Sequence, residues 1–159
     1  MKSIVVATDF SKGSINAIKY AIDFANTVNA NITLLWVNKM FFDVELPVER
    51  IVKAEEAKKT LECLVEKYKK NLKKDLSIDY KIREGKVYKE IINQAKYTDA
   101  SLIIMGTHGV SGFEEMWIGS NAYKVVAASD CPVISIRYDT HKPYIKKIVM
   151  PLDTTKETL

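Results

Sequence analysis

Cysteines and long apolar runs are both scarce in this sequence. Its 159 residues include two cysteines, Cys63 and Cys131, with neither a C-x-x-C pair nor a metal-ligand spacing around them. This pattern indicates neither a zinc site nor a redox pair, and it favours a reduced, cytoplasmic chain. No apolar stretch reaches about 18 residues, and the first apolar run soon meets Asp9, so we expect neither secretion nor membrane insertion.

A strong charge of one sign is also missing. The 24 Lys+Arg residues against 20 Asp+Glu give a formal net charge of +4, which is too small and too scattered to predict a nucleic-acid partner. The most basic stretch, from Lys67 to Lys74, is interpreted as the solvated end of a helix, where the helix dipole favours cations. With 47% hydrophobic and 28% charged residues, the composition is typical of a globular domain and excludes a disordered or collagen-like chain.

Apolar runs of strand length alternate with helical patterns along the chain. The five predicted strands are Ile4 to Ala7, Ile32 to Val37, Leu76 to Arg83, Leu102 to Met105 and Pro132 to Tyr138. The predicted helices run from Ser14 to Asn29, from Val48 to about Lys74, around Val87 to Ala95, and through Ala122 to Val126. Residues Asn38 to Pro47 are predicted to form a loop. Such alternation predicts an α/β fold with a mostly parallel sheet and helices on both faces.

The character of the runs also predicts where the strands lie in the sheet. The runs from Ile4, Ile32 and Leu102 are continuously apolar, as central parallel strands are. Leu76 to Arg83 alternates apolar and polar residues, which is typical of an edge strand.

The tail of the chain repeats its beginning. Residues 146–159 (KKIVMPLDTTKETL) match residues 2–15 (KSIVVATDFSKGSI) at Lys2, Ile4, Val5, Asp9 and Lys12. We therefore expect one domain over residues 1–140, a linker over 141–145, and the first strand of a truncated second copy over 146–159.

The segment with the clearest chemical content follows the predicted strand that ends at Met105. Gly106, Gly109 and Gly112 are spaced along a loop, and Gly119-Ser120 opens the next helix. Glycines allow the backbone to approach a ligand closely, and a helix start offers unpaired N–H groups to an anion. The pattern is neither G-x-G-x-x-G nor a P-loop, but its position beyond a strand end predicts a phosphate site.

The same residues fill the motif G-x2-G-x9-G-[ST], here Gly106, Gly109, Gly119 and Ser120. In this motif and in IVVATDFS, LLWV, SLIIMGTHGVSG and DCPVISIR, the chain resembles the universal stress protein family over essentially its whole length. The resemblance implies a flavodoxin-like fold of the adenine nucleotide alpha hydrolase type, which is a doubly wound sheet of five parallel strands in the order 3-2-1-4-5. It also implies an adenine-nucleotide site.

Carried over from ATP-binding members, the resemblance assigns roles to ten positions. Ala7, Thr8 and Asp9 would contact the base or ribose, Val37 would form a wall of the adenine pocket, and Met105 and Gly106 would lie against the nucleoside. Gly109, Gly119, Ser120 and Asn121 would hold the phosphates of ATP, or of AMP or ADP. Two departures are Ala7, where many relatives have proline, and Val110, where a basic residue is common. We expect a looser pocket rim and weaker triphosphate binding.

Three side chains leave alternatives open. Asp9 is expected to contact the ligand, to hold Mg²⁺ through phosphate, or to cap the first helix. His108 is interpreted as a solvent-facing turn residue and not as a general base. Cys131 is interpreted as a small buried residue and not as a nucleophile. No protein cluster that could bind a metal is expected.

These expectations combine into one functional prediction. The chain is expected to be an ATP-binding sensor or regulatory module with at most slow ATP hydrolysis, and no catalytic residues are assigned. The alternatives are a relative that works only through dimerisation and protein contacts, and a flavoprotein-like or transferase domain on the same scaffold. The strand Pro132 to Tyr138 is expected to pair across a homodimer, or across a pseudo-dimer within a longer chain.

Overall fold

The computed structural model describes residues 2–39, 47–107 and 119–137, together with positions 147 and 149. Strands and helices alternate throughout these residues. The strands are β1 (Ser3–Ala7), β2 (Asn31–Lys39), β3 (Ile78–Gly85), β4 (Leu102–Gly106) and β5 (Val133–Ile136). The helices are α1 (Lys12–Val28), α2 (Pro47–Lys69), α3 (Val87–Tyr97) and α4 (Ser120–Ala128). The predicted α/β alternation is confirmed.

The strands form one parallel sheet in the order β3-β2-β1-β4-β5. β1 lies at the centre, where Ile4 is in register with Ile32 of β2 on one side and with Leu102 of β4 on the other. The order implied by the resemblance is therefore confirmed, and β3 is the edge strand predicted from its alternation. The chain reverses its direction of winding between β1 and β4, which makes that crevice the switch point of the sheet.

Both faces of the sheet are covered by helices. Ile4, Val6 and Leu34 face α1 and α2 and are at most 1% exposed. Val5 and Ile103 face α3 and α4 and are fully buried. Burying one such side chain stabilises the fold by roughly 1.5–3 kcal/mol. The continuous apolar runs arise because neighbouring residues of a central strand are buried on opposite faces.

Several boundaries differ from those predicted. Asn38 and Lys39, predicted to lie in a loop, extend β2 because they pair with Glu84 and Gly85 of β3. α2 ends at Lys69 and not near Lys74, and the chain beyond it is held by an asparagine of α1. The Asn26 side chain there donates to the Asn71 carbonyl at 2.8 Å and accepts from the Lys73 N–H at 2.9 Å.

The ends of the other elements differ by one to three residues. α1 begins at Lys12 and Asn29 closes it in the left-handed conformation, as predicted for that end. β5 comprises Val133–Ile136 within the longer predicted strand, and Tyr138 lies outside the described residues. The predicted linker and second copy over residues 141–159 also lie outside them, apart from positions 147 and 149, so that domain division stays a prediction.

None of the helices in the described part of the chain combines the length and apolar character needed to cross a bilayer.

Candidate functional site

The turn from β1 into α1 is built by hydroxyl groups and one carboxylate. Thr8 is buried, and its Oγ1 accepts from the Phe10 N–H at 3.1 Å and lies 3.1 Å from the Ser14 Oγ. The Asp9 Oδ1 accepts from the Ser11 N–H at 3.1 Å. The Ser11 Oγ accepts from the Ser14 N–H at 3.3 Å, so the N-cap of α1 is Ser11 and not Asp9. Asp9 instead stabilises the turn that precedes the cap.

Phe10 gives this turn its unusual shape. Its φ angle is 64°, in the left-handed region that side chains with a Cβ rarely adopt. The ring of Phe10 stacks on Trp36 of β2, with centroids 6.2 Å apart and planes 12° from parallel. Packing and the bond to Thr8 therefore hold a backbone conformation that costs about 1–2 kcal/mol. Strain of this kind is common at ligand sites, where surrounding structure fixes it.

The end of β4 meets the start of α4 beside this turn. The Gly119 N–H donates to the Thr107 carbonyl at 2.6 Å, which holds the first residues of α4 next to the strand end. Gly119 is the N-cap of α4 and offers no side chain to the first N–H groups of the helix. Ser120 and Asn121 are exposed there. These N–H groups and the positive end of the helix dipole form a site suited to an anion.

Gly106 joins the two halves of the site. A Cβ at this position would lie 2.9 Å from the carbonyl carbon of Gly13 and 3.1 Å from the Ser14 nitrogen, both in the first turn of α1. Real Cβ atoms do not come so close to backbone, so Gly106 allows α1 to pack against the end of β4. Glycine at position 106 is therefore needed for packing, whether or not a ligand also lies against its backbone.

The structure brings most of the predicted site residues to one edge of the sheet. Ala7 and Met105 are paired neighbours in β1 and β4, with exposures of 8% and 6%. Val37 lies on β2, half-buried against the core under α3 and α4. Gly109 lies outside the described residues, as do His108, Val110 and Gly112.

Cys131 has the environment of an unreactive thiol. Its Sγ donates to the Ala100 carbonyl at 3.1 Å, and burial raises the pKa of the thiol above its ordinary value of 9.0. A raised pKa leaves little thiolate near neutral pH, so Cys131 is poorly suited to act as a nucleophile.

Within residues 2–39, 47–107 and 119–137, no three His, Cys, Asp or Glu side chains gather as a metal site.

The sequence reasoning missed Phe10, Gly13 and Ser14 as parts of this site. Ser11 is a favoured N-cap residue, a signal that could have located the true start of α1. Gly13 gives no local signal, because its importance depends on Gly106, which is distant in sequence. Nothing in the composition of the turn indicates a positive φ at a phenylalanine.

Fold and site together define a class of protein: a doubly wound α/β domain in which a helix capped by a glycine begins at the switch point of the sheet. The model of the universal stress protein family matches residues 1–137, and the chain belongs to that family. Universal stress protein MJ0531 of Methanocaldococcus jannaschii is 32% identical over 145 residues, which cover 86% of this chain and 82% of that protein. Universal stress protein YxiE of Bacillus subtilis is 31% identical over 144 residues, 84% of this chain and 97% of that protein.

Solved structures agree with this assignment of the fold. Universal stress protein UspA from Lactobacillus plantarum superposes with a TM-score of 0.74 at 24% identity, over 86% of this chain and 97% of that chain. The universal stress protein of Archaeoglobus fulgidus in complex with dAMP gives a TM-score of 0.63 at 23% identity, over 86% of this chain and 98% of that chain. A universal stress protein in complex with cAMP gives 0.62 at 19% identity, over 85% and 96%.

Proposed function

We propose that this chain binds an adenine nucleotide, ATP in the first place and AMP or ADP as alternatives, as a regulatory module of a stress response. One observation carries the proposal: the start of α4, with no capping side chain, is tied to the end of β4 beside the β1–α1 turn. Among the described residues, no side chain caps its first N–H groups, and these lie at the switch point, where open α/β sheets bind ligands.

The proposed contacts divide between the two halves of the site. The nucleoside would lie over the ends of β1 and β2, against Ala7, Thr8, Asp9, Val37 and Met105. The phosphates would lie over Gly106 and Gly109 and at the start of α4, on Gly119, Ser120 and Asn121. The Thr8 hydroxyl is engaged inside the turn by the Phe10 N–H, so Thr8 would contact the ligand mainly through its backbone.

Magnesium would enter this site with the nucleotide. Carboxylate oxygens are ligands that Mg²⁺ prefers, but it is commonly held by only one or two of them together with phosphates. Asp9 is the acidic side chain at this turn, and one of its oxygens already accepts from the Ser11 N–H at 3.1 Å. We therefore assign Mg²⁺ mainly to the phosphates, with Asp9 as its nearest protein partner.

Two structural relatives support the choice of an adenine nucleotide. One was solved with dAMP and one with cAMP, and both share the sheet of this chain. The four motif residues of this chain, Gly106, Gly109, Gly119 and Ser120, give the phosphate half of the proposed site.

Calorimetry tests the proposal directly. The purified chain is titrated with ATP, ADP and AMP, each with and without Mg²⁺, and with GTP as the base control. We expect adenine nucleotides to bind and GTP to bind at least about tenfold more weakly. No heat of binding at about 1 mM of any nucleotide would favour the alternative of a protein that acts only through protein contacts.

The proposed role is regulatory and not that of an efficient enzyme. Hydrolysis of bound ATP should be absent or far below the ordinary enzyme rate of about 10 per second. A rate in that range would contradict the regulatory role while leaving nucleotide binding intact. The two cysteines are free, which supports a reducing, cytoplasmic location as part of the same proposal.

We also propose that two copies associate through β5, or that β5 pairs in the same way with a second domain. β5 pairs with β4 on one side and stands at the end of the sheet. Beside it on α4, Tyr123 and Val126 are 63% and 50% exposed. A strand at the end of the described sheet, next to exposed apolar side chains, is suited to pairing with another strand.

A further inference from the structure

A cavity of about 320 Å³ opens between β3 and α3, at the edge of the sheet opposite to β5. It is lined by Arg83 of β3 and by Glu90, Asn93, Gln94 and Tyr97 of α3. None of these residues belongs to the proposed nucleotide site. A space of this size accommodates a small metabolite.

Gln94 is the unusual residue of this cavity. Its side chain is 1% exposed, and its Oε1 accepts a hydrogen bond from the Arg83 Nε at 3.0 Å. Its Nε2 is buried and has no hydrogen-bond partner among the described residues. A buried amide without a partner is unfavourable and is rare in native proteins. The Nε2 lies beneath the cavity lining with almost no accessible surface, so it marks imperfect packing behind Arg83, while the Oε1 of the same amide holds the Arg83 side chain at the cavity.

The contacts that the structure describes hold Arg83 by its Nε and by the face of its guanidinium, and not by its two terminal nitrogens. Its guanidinium lies over the ring of Tyr97, 5.7 Å from the centroid, while its Nε is bonded to Gln94. Within the described part of the chain, no hydrogen bond uses its two terminal nitrogens. Those nitrogens have the fork geometry that binds a carboxylate.

Glu90 brings the opposite charge to the same cavity. Its Oε1 accepts from the Asn93 Nδ2 at 3.4 Å, and its side chain leans against Gly85. No ion pair joins Arg83 and Glu90 in the part of the chain that the structure describes, although both line the cavity. Glu90 would repel a purely anionic ligand, and Arg83 would repel a purely cationic ligand.

We propose that this cavity binds a zwitterionic metabolite, a free α-amino acid. The carboxylate would accept from the Arg83 terminal nitrogens, and the ammonium would donate to Glu90 and the Asn93 Oδ1. The ligand would thus match both charges, and the Gln94 amide, which is bonded to the Arg83 Nε, would report its binding. This site is independent of the proposed nucleotide site and stands or falls separately.

The Gln94 side-chain amide offers a direct readout by NMR. The full chain, labelled with ¹⁵N, is titrated with each common free L-amino acid, with sodium acetate as an anion probe and with ethylamine as a cation probe. We expect at least one amino acid to shift the Gln94 side-chain resonance and the backbone amides of α3. Both single-charge probes should bind at least about tenfold more weakly.

Matched variants identify the groups that bind. Arg83→Gln should weaken amino-acid binding at least about tenfold, while Lys81→Gln, an exposed change on the same face of β3, should leave it unchanged. Glu90→Gln, on the helix surface, should weaken amino-acid binding and strengthen acetate binding. Thermal unfolding of each variant verifies its fold.

Three results would overturn the proposal. The first is no shift of the Gln94 resonance at about 10 mM of any amino acid. The second is acetate binding as tightly as the amino acids to the unmodified chain. The third is amino-acid binding that is unchanged in folded Arg83→Gln or Glu90→Gln.

Discussion

Gly106 at the end of β4 packs against the backbone of Gly13 in the first turn of α1, with no room for a side chain between them. A Cβ on Gly106 would lie 2.9 Å from the carbonyl carbon of Gly13 and 3.2 Å from its oxygen. These atoms belong to backbone that is anchored by the helix, so they cannot move aside as a flexible side chain would. The contact fixes how close α1 lies to the crevice of the proposed site.

Gly106→Ala should therefore destabilise the fold. We expect the free energy of unfolding to fall by about 1–3 kcal/mol, because overpacking forces α1 or β4 to shift. Urea denaturation followed by circular dichroism measures the change. Ser101→Ala is the control, because Ser101 is exposed at the other end of β4 and the substitution should change the stability little. Equal urea midpoints for Gly106→Ala and the unmodified chain would contradict the packing argument.

Gly119→Asp should separate nucleotide binding from stability. Aspartate is a preferred N-cap, so its carboxylate should occupy the free N–H groups of α4 and stabilise the helix by about 0.5–1 kcal/mol. The same negative charge should repel phosphate and weaken ATP binding at least about tenfold. Calorimetry with ATP and thermal unfolding measure the two effects. Gly119→Asn, which can cap the helix without adding a charge, is the control and should weaken ATP binding less than Gly119→Asp. Unchanged affinity in Gly119→Asp would place the phosphates elsewhere.

Ser135→Pro should test the proposed pairing of β5. The Pro132 and Ile136 carbonyls accept from Ile103 and Thr107, at 2.9 and 3.0 Å, so these even-numbered residues direct their polar backbone atoms to β4. Ser135, one residue out of phase, directs its N–H away from the sheet. Proline removes that outward donor without breaking a bond to β4.

Sedimentation velocity over a range of concentrations compares Ser135→Pro with Ser135→Ala, which keeps the N–H. We expect the proline variant to dissociate at about tenfold higher concentration, with the alanine variant unchanged. Association that is equally strong in both variants would exclude β5 as the interface.

Tyr68→Phe should stabilise the protein. Tyr68 is 7% exposed, and its hydroxyl is buried without a hydrogen-bond partner among the described residues. Removing that hydroxyl should raise the free energy of unfolding by about 1 kcal/mol. Tyr123→Phe, at a residue that is 63% exposed, is the control and should change little.

The pH dependence of Tyr68→Phe follows from the same burial. Burial raises the pKa of Tyr68 above its ordinary value of 10.0, so the folded protein prefers the neutral phenol. The unfolded chain loses this proton first, and stability is therefore lost as the pH rises above 10.0. The variant should lose less stability there. An identical alkaline decline in both proteins would indicate that other groups control it.

The sequence predicted the order of the strands and helices better than the residues at which they begin and end. Val5 and Val6 lie in a continuous apolar run because both faces of β1 are covered. Such a run is a local pattern, so it can be recognised from a few consecutive residues. Asn38 is predicted to lie in a loop because residues 38–47 show no clear period, yet it is 6% exposed and its Nδ2 donates to the Arg50 carbonyl at 3.2 Å. Its partner lies on another element, and local patterns do not report such partners.

The candidate site likewise has some features that the local sequence predicts and others that it does not. Gly119 and Ser120 are predicted from the glycine spacing, its position beyond a strand end and the family motif, and the structure begins α4 at Ser120 with Gly119 as its N-cap. The φ of 64° at Phe10 depends on the stacking partner Trp36 in the next strand, and the need for glycine at position 106 depends on Gly13 in α1. Contacts between distant segments set these features, so a single sequence does not reveal them.

The central place of β1 has a consequence while the chain is being made. β2 follows soon after β1 and covers one of its edges, but β4, which covers the other, ends only at Gly106. At about 5–20 residues per second, one edge of this central strand stays unpaired on the ribosome for several seconds. Unpaired strand edges of this kind make folding intermediates prone to aggregate, and the proposed nucleotide site is completed only when residues 119–121 have emerged.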